Sequence, residues 1–383
     1  MMARTSERTT ARSGRTVLVT GVSRFLGSSL AGRLAAVPEV DRVIGVDATL
    51  PDDAARRRLG EAEFVRVDIR NPLIGKVIEG AGVTCVVHAS ASIAPVAAAV
   101  RTMTKEMNVL GTMQLLAACQ RTASVDAVVV RSTSAVYGGS PKDPAVFTED
   151  TAPRAAPPTG PARDAADIEG YVRSFARRRP DVRVAVPRLA EIIGPTVRTP
   201  LTRYFSLTPA VPVPLGYDPR VQFVHEQDAV DLLEHLTLGT FAGPLNVAGD
   251  GVMTLHQAIR RAGRVALPLP MPAMDAVSTA LKMARVGGFS TQQLRLLASG
   301  PVLDTTRLRT VAGFTCRYTT RQAFDDFART IAPALSPAAV RRAEVWATGL
   351  LGVRPEQDTD PRLTGVRDPV PVTSRGDGEL VEP

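Results

Sequence analysis

Short apolar runs alternate along this chain with stretches whose apolar residues recur every three or four positions. TVLVT (Thr16–Thr20) is β-branched and apolar, the pattern of a strand covered on both faces. Leu26, Leu30, Leu34 and Val37 then fall at helical spacing until Pro38 stops the run. RVIGVD (Arg42–Asp47), FVRVD (Phe64–Asp68), CVVH (Cys85–His88), AVVVRS (Ala127–Ser132) and VRVAVPR (Val182–Arg188) predict further strands, and Val109, Met113 and Leu116 mark a helix. Strands alternating with helices predict βαβ units in an α/β fold with a doubly wound parallel sheet. After residue 189 the rhythm loosens. Pro195, Pro200, Pro209, Pro212, Pro214 and Pro219 predict a lobe built largely from loops, with QFVH (Gln222–His225) and LNVA (Leu245–Ala248) as strands returning to a sheet. Met271–Val286 reads as an amphipathic packing helix, because its few charges make no basic face.

The 383 residues can bury a sizeable core. No run of 18 apolar residues appears, so no membrane-spanning helix is expected, and the Arg-rich start lacks the apolar stretch of a secretory signal. Cys85, Cys119 and Cys316 are odd in number and far apart, with no CxxC. They predict neither a disulfide framework nor a metal site, and fit a reducing cytoplasm. The formal charge is +8 and four of the 46 basic residues are Lys (Lys76, Lys105, Lys142, Lys282), the rest Arg. The arginines are scattered rather than striped and aromatics make up only 4%, which argues against nucleic acid as a partner.

The most informative segment is VTGVSRFLGSSLAGRL (Val19–Leu34), which joins the first strand to the first helix. A helix opening on small residues exposes unpaired N–H groups and the positive end of its dipole, a cradle for a pyrophosphate. Gly21 permits the tight turn and Gly27 the close approach of helix to sheet. Asp47 closes the second strand 20 residues past Gly27. A carboxylate there accepts bonds from a ribose diol and repels a 2′-phosphate, favouring NAD over NADP.

These motifs resemble the extended short-chain dehydrogenase/reductases, the NAD-dependent epimerase/dehydratase family. The family's TGxxGFxG turn is similar to Thr20–Gly27, with Arg24 where the family has its middle glycine. VDIR, HASA, NVLGT, STSAVYG, RLAEIIGP and RVQFVHEQD then follow in the family's order, and VLDTTRLRTVAGF resembles its closing segment. The resemblance covers roughly residues 15–330. It implies a Rossmann-type fold with a smaller C-terminal substrate lobe. The domains expected are a disordered arm (1–14), an NAD-binding domain (15–188), a substrate lobe (189–330) with segments returning to the sheet at about 221–263, and a C-terminal helix and tail (331–383).

It also implies cofactor contacts at Gly21, Ser23, Arg24, Phe25, Leu26, Gly27, Asp47, Asp68, Ile69, His88, Ala89, Ser90, Asn108 and Arg163. Within these, Asp68 and Ile69 would hold the adenine, Asn108 would stabilise a neighbouring strand or loop, and Arg24 would restrict the approach of phosphate or bind it. Tyr137, Glu191 and Arg220 would face a substrate such as a nucleotide sugar, and two copies would pair through the helices around Asn108 and Asp167.

The family's chemistry uses a Tyr to take a hydroxyl proton, a Lys four residues on that lowers the Tyr pKa, and a Ser or Thr that binds the substrate oxygen. Thr133 matches the last, but Thr159 stands for the Tyr and Arg163 for the Lys. Tyr137, Tyr171, Tyr204, Tyr217 and Tyr318 are followed four residues on by Pro141, Phe175, Thr208, Val221 and Gln322, so no tyrosine has a basic partner at that distance. Tyr171 lies twelve helical residues from Thr159, a displacement of about 18 Å. Arg stays charged and cannot relay a proton, and losing a positioned base removes about 10²–10⁴ of rate. Two readings follow. One is an atypical oxidoreductase or epimerase using another group, with Tyr137, Asp164 and Glu191 as candidates; the other is a catalytically impaired NAD(H)-binding sensor or scaffold.

Overall fold

The computed structural model describes residues 14–89, 105–138, 143–152, 160–283 and 301–332, with 339 and 342. The arm before residue 14, nearly all of the tail, Ser90 and Thr159 lie outside these. The first half runs β1 (Arg15–Thr20), α1 (Phe25–Ala35), β2 (Val40–Asp47), α2 (Asp53–Leu59), β3 (Glu63–Arg66), α3 (Leu73–Gly80), β4 (Cys85–His88), α4 (Gly111–Arg121), β5 (Ala127–Val130), β6 (Ser132–Thr133), β7 (Val146–Phe147), α5 (Gly160–Arg178) and β8 (Arg183–Leu189). Further on come β9 (Glu191–Ile193), α6 (Pro200–Phe205), β10 (Ala210–Pro214), β11 (Arg220–Val221), β12 (Phe223–His225), α7 (Glu226–Leu238) and β13 (Gly243–Val247). β14 (Met253–Thr254), α8 (Leu255–Arg261), β15 (Val265–Leu269), α9 (Met271–Met283), β16 (Val302–Leu303), α10 (Thr306–Thr310) and α11 (Thr320–Ala328) complete the order.

The main sheet has eight strands in the order β13-β8-β5-β4-β1-β2-β3, with β6 continuing β5 beside β8. Every pairing in it is parallel. This is the doubly wound sheet that the alternating runs predict, and its apolar strands follow from burial on both faces. Val17, Val19, Val87, Val129 and Leu189 join Leu30 and Leu34 of α1 and Leu233 of α7 in one core. The intervening Leu18, Val86, Val128 and Val130 face Leu115 of α4 and Ile168, Val172 and Phe175 of α5 in a second. Parity along each strand thus decides which helix layer a side chain meets.

The C-terminal part carries more regular structure than its prolines predict. Pro212 and Pro214 lie within β10, which among the described residues pairs only with β15, and an edge strand tolerates residues lacking an N–H. Phe205, Phe223, Phe324 and Phe327 give this lobe its own core. Of the two returning strands, β13 joins the main sheet beside β8, whereas β12 pairs with β9 beyond its edge. Gly249 marks a close approach here, because a Cβ on it would lie 2.6 Å from the Tyr318 carbonyl oxygen.

Phe175 is wholly buried where α5 meets the sheet. Phe175→Ala is expected to lower the free energy of unfolding by about 3–5 kcal/mol in chemical denaturation. A loss below about 1 kcal/mol would show that the α5 layer is not packed this way.

Candidate functional site

At the carboxyl end of β1 the chain turns through Gly21, whose φ of 77° lies in the left-handed region. Its N–H donates to the Val46 carbonyl at 2.9 Å, and the Arg24 N–H donates to the Gly21 carbonyl at 3.1 Å. A Cβ at Gly27 would sit 2.4 Å from that same Gly21 oxygen, so only glycine lets the first turn of α1 press against the loop. Arg24 is the N-cap residue, with extended φ of −114° and no side-chain cap. Its conformation does not require glycine, so the departure from the family's pattern costs no backbone strain, and its guanidinium is exposed. Phe25 lies under the Arg58 guanidinium and Leu26 is buried in the α1-side core. At these two positions the main chain, not the side chain, is left to meet a ligand.

Asp47 ends β2 and binds this turn directly. Its Oδ2 accepts from the Ser23 N–H at 3.1 Å and its Oδ1 from the Thr49 N–H at 3.0 Å, while the Ser23 hydroxyl donates to the Thr49 carbonyl at 2.5 Å. The acid and the glycine-rich turn therefore form one preorganised unit, and the carboxylate keeps acceptor capacity for a diol. Asp68 is held by Arg70, whose Nη2 lies 2.6 Å from Oδ2, and this bond keeps the Asp68 carboxyl below its ordinary range. Ile69 turns its side chain into the core beneath Gly111.

His88 is not a free imidazole beside the cleft. One ring nitrogen lies 2.8 Å from the Thr20 hydroxyl and the other 2.9 Å from the Thr112 hydroxyl, which itself donates to the Asn108 carbonyl. The ring ties β1 and β4 to α4, and its side chain is spent on that tie; Ala89 beside it and Asn108 are buried as well. Burial, with Arg131 adding to it, lowers the His88 pKa to about 4. Thr20 and Thr112 escaped the sequence reading, although the GT of NVLGT was a signal for the second.

Tyr137, expected as a substrate or proton-handling group, is placed in a buried network. Its hydroxyl donates to Asn246 Oδ1 at 2.6 Å and accepts from Arg188 Nη1 at 2.8 Å, and the residue is 1% exposed. Both roles of the phenol are taken, and burial pushes its pKa up against the opposing pull of Arg188. Arg188 also donates to Glu169 from Nε at 2.9 Å and from Nη2 at 2.7 Å, and Ser132 donates to Glu169 at 2.7 Å. Burial alone would weaken the hold of Arg188 on its proton, but Glu169 outweighs it and the net direction is up. Nothing in the local pattern marked Glu169.

Arg163 lies on α5, exposed, with its Nε 3.0 Å from Asp167 Oδ1. Successive helical residues rotate by about 100°, so Arg163 stands about 120° round from Glu169. The residue one turn before Glu169 on the same face is Ala165, which packs with Val136, Tyr137 and Ala190. The structure thus brings an alanine, not Arg163, to the sheet edge beside β6. Asp164, a further candidate, is buried. Thr133 is at that edge, buried, with its hydroxyl accepting from the Ala135 N–H at 3.3 Å. Glu191 opens β9, half-buried; burial raises its carboxyl pKa and Arg131 opposes the rise. Arg220 is exposed and donates to the Ala145 carbonyl at 3.2 Å. Among the described residues no cluster of His, Cys, Asp and Glu could hold a metal ion, and no helix is long and apolar enough to cross a membrane.

Residues 17–237 match the model of the NAD dependent epimerase/dehydratase family. An uncharacterized protein of Mycobacterium tuberculosis strain H37Rv is 46% identical over 358 residues, covering 93% of this chain and 92% of its own length. Among solved structures, MoeE5 in complex with UDP-glucose and NAD aligns with a TM-score of 0.58 at 23% identity, over 83% of this chain and 98% of that one. A dTDP-glucose 4,6-dehydratase from Bacillus anthracis in complex with NAD aligns at 0.63 and 18%, over 88% and 100%. Both likenesses are of fold.

The buried His88 makes stability depend on pH with a definite sign. The unfolded imidazole protonates near pH 6.5 and the folded one only near 4, so below 6.5 the unfolded state binds more protons. Stability should fall by roughly 3 kcal/mol as the pH drops through that window. In His88→Gln this part of the pH dependence should vanish from denaturation curves, whatever the variant's absolute stability. Separately, Gly27→Ala is expected to cost about 1–3 kcal/mol through overpacking against the Gly21 carbonyl, measured the same way.

Proposed function

The chain belongs to the NAD dependent epimerase/dehydratase family, and from that premise we propose that it binds NAD and acts on a secondary alcohol of a nucleotide sugar or similar substrate through an atypical proton path. The observation that carries this reading is the joined unit of glycine turn and acid: Asp47 accepts from Ser23 within the loop whose other end is clamped by the Gly27–Gly21 approach. Glycine at position 27 lets the first turn of α1 press on the Gly21 loop, which joins the helix's opening amides to the turn in an arrangement that fits the coenzyme's diphosphate. Gly21, Ser23, Arg24 and the first-turn amides of α1 would hold the diphosphate, and Asp47 the adenosine ribose. Asp68, Ile69 and the segment at Ala89–Ser90 would border the adenine and the nicotinamide half. When bound, NAD supplies the hydride acceptor.

The chain's own residues then have separable tasks. Thr133 would donate its hydroxyl to the substrate oxygen, and Glu191 and Arg220 would line the side from which the substrate enters. The Glu169–Arg188–Tyr137 network would hold the strand ends rigid so that Thr133 keeps its place. Two copies would pair through α4 and α5, where Leu110, the residue before α4, and Tyr171 stand exposed. The second reading, a sensor or scaffold that binds NAD(H) without turnover, is favoured by Ala165 at the helix position that faces the sheet edge.

Calorimetric titration should give tighter binding of NAD than of NADP, and Asp47→Ala should remove that preference while weakening NAD binding by about tenfold or more, since a charged hydrogen bond is worth about 1.5–3 kcal/mol. Equal affinity of the wild type for the two coenzymes would overturn the cofactor assignment. Incubation with NAD and a panel of UDP- and dTDP-sugars separates the two readings, because turnover at ordinary enzyme rates eliminates the scaffold.

A further inference from the structure

The register between β2 and β3 sets Asp47 beside Arg66. The strands are parallel, and residues paired across such a ladder point to the same face of the sheet. The cores show which face this is. Val43 of β2 and Phe64 of β3 pack in the α1-side core, whereas Val46 and Val65 belong to the opposite one. Alternation then puts Asp47 and Arg66 together on the α1 side, one strand spacing apart, about 4.8 Å. The bond from the Ser23 N–H to Asp47 agrees, because Ser23 belongs to the turn that opens α1.

The two side chains are held differently. Asp47 is committed to the glycine turn through Ser23 and to its own strand end through Thr49. Arg66 is exposed, and its Nε donates to the Ala48 carbonyl at 3.2 Å. That bond draws the guanidinium across the end of β2, where the strand opens into the loop before α2. Its two terminal nitrogens make no hydrogen bond or ion pair among the described residues. Other arginines nearby are engaged elsewhere. Arg42 closes on Glu63 with bonds of 2.7 and 2.8 Å, and Arg58 donates to the Ser28 hydroxyl at 2.9 Å and lies over Phe25. Arg56 turns back to the Pro51 carbonyl at the foot of its own helix, and Arg70 binds Asp68. The arginine that shares a strand-end position with Asp47 is Arg66.

We propose that Arg66 forms a binding site for the 2′-phosphate of NADP, so that this chain takes the phosphorylated coenzyme as a second, weaker ligand of the cleft that binds NAD. A carboxylate that accepts from the ribose diol holds the 2′ oxygen at its edge. A phosphate on that oxygen is repelled by Asp47 but meets a guanidinium anchored one strand away, whose forked nitrogens match phosphate oxygens in pairs. The anchor at Ala48 orders the side chain before a ligand arrives, so little freedom is lost on binding. Salt screens an exposed guanidinium, which leaves Asp47 the stronger voice. Asp47 sets the preference for NAD, and Arg66 limits its size. The proposal rests on the reading of the chain as an NAD-binding protein. It holds for the enzyme and for the sensor alike, because it concerns the adenosine end and not the reacting carbon.

The test is calorimetric titration of the full chain with NAD and with NADP. The wild type should bind NADP more weakly than NAD, by less than about a hundredfold, and NAD should displace it. Arg66→Gln should weaken NADP by about tenfold or more, the worth of a charged hydrogen bond, while NAD stays within about twofold. Arg66→Lys should recover part of the loss, since it keeps the charge but not the fork. Added salt should weaken NADP more than NAD in the wild type and both alike in Arg66→Gln. A guanidinium that merely ties the loop at Ala48 would weaken both coenzymes equally in Arg66→Gln, and that result overturns the proposal, as does unchanged NADP affinity in the variant. Wild-type binding of NAD with NADP weaker by more than about a hundredfold overturns it even if the variants fail to fold. Absence of NAD binding by the wild type overturns the parent reading instead.

Discussion

A parallel sheet buried on both sides leaves each strand residue one of two destinations, and neighbours in sequence must take opposite ones. In this protein that parity governs the chemistry as well as the packing. Ser132 and Thr133 are adjacent, yet the first bonds Glu169 beneath α5 while the second belongs to the α1 side with Leu189. The helix layers complete the division, because α1 brings an open N-terminus and Arg24 to one side, and α5 brings a buried carboxylate to the other.

The α5 side is built for rigidity. A buried guanidinium and carboxylate cost desolvation energy that their mutual attraction offsets only when the remaining donors and acceptors are also satisfied. Here they are well supplied. Glu169 accepts from Ser132 and from two Arg188 nitrogens, and Arg188 reaches Tyr137 and the Glu149 carbonyl as well. Tyr137 passes the chain on to Asn246, whose Nδ2 donates to the Phe147 carbonyl and whose N–H donates to Glu149. Strands β6, β8 and β13 and the segment before α5 are thus fixed relative to one another by one polar network. Such a network holds geometry.

The nucleotide end achieves its order differently, through close backbone approach. Gly21 turns the chain, Gly27 admits the helix and Asp47 accepts from the loop amide, all within 27 residues of sequence. His88 adds a contact of longer range, a bridge of two threonine hydroxyls through one ring. Because burial favours the neutral imidazole, the buried bridge is held most securely on the neutral and alkaline side of the pH scale.

Legibility in the sequence divides along the same line. Strand and helix alternation, the glycine turn and the acid closing β2 rest on local periodicity and backbone geometry, which neighbouring residues alone dictate, so the amino-acid order determined them and the fold with them. Tyr137 looked free because its partners Arg188 and Asn246 stand 51 and 109 residues away. Glu169 carried no mark at all, and Arg163 matched a motif while α5 turned Ala165 toward the sheet. The prolines of the C-terminal lobe suggested loops where β10 has a free edge that accommodates them. Which side chains are spent on one another and which remain available for chemistry is a matter of distance between strand ends, and only the assembled sheet decides that.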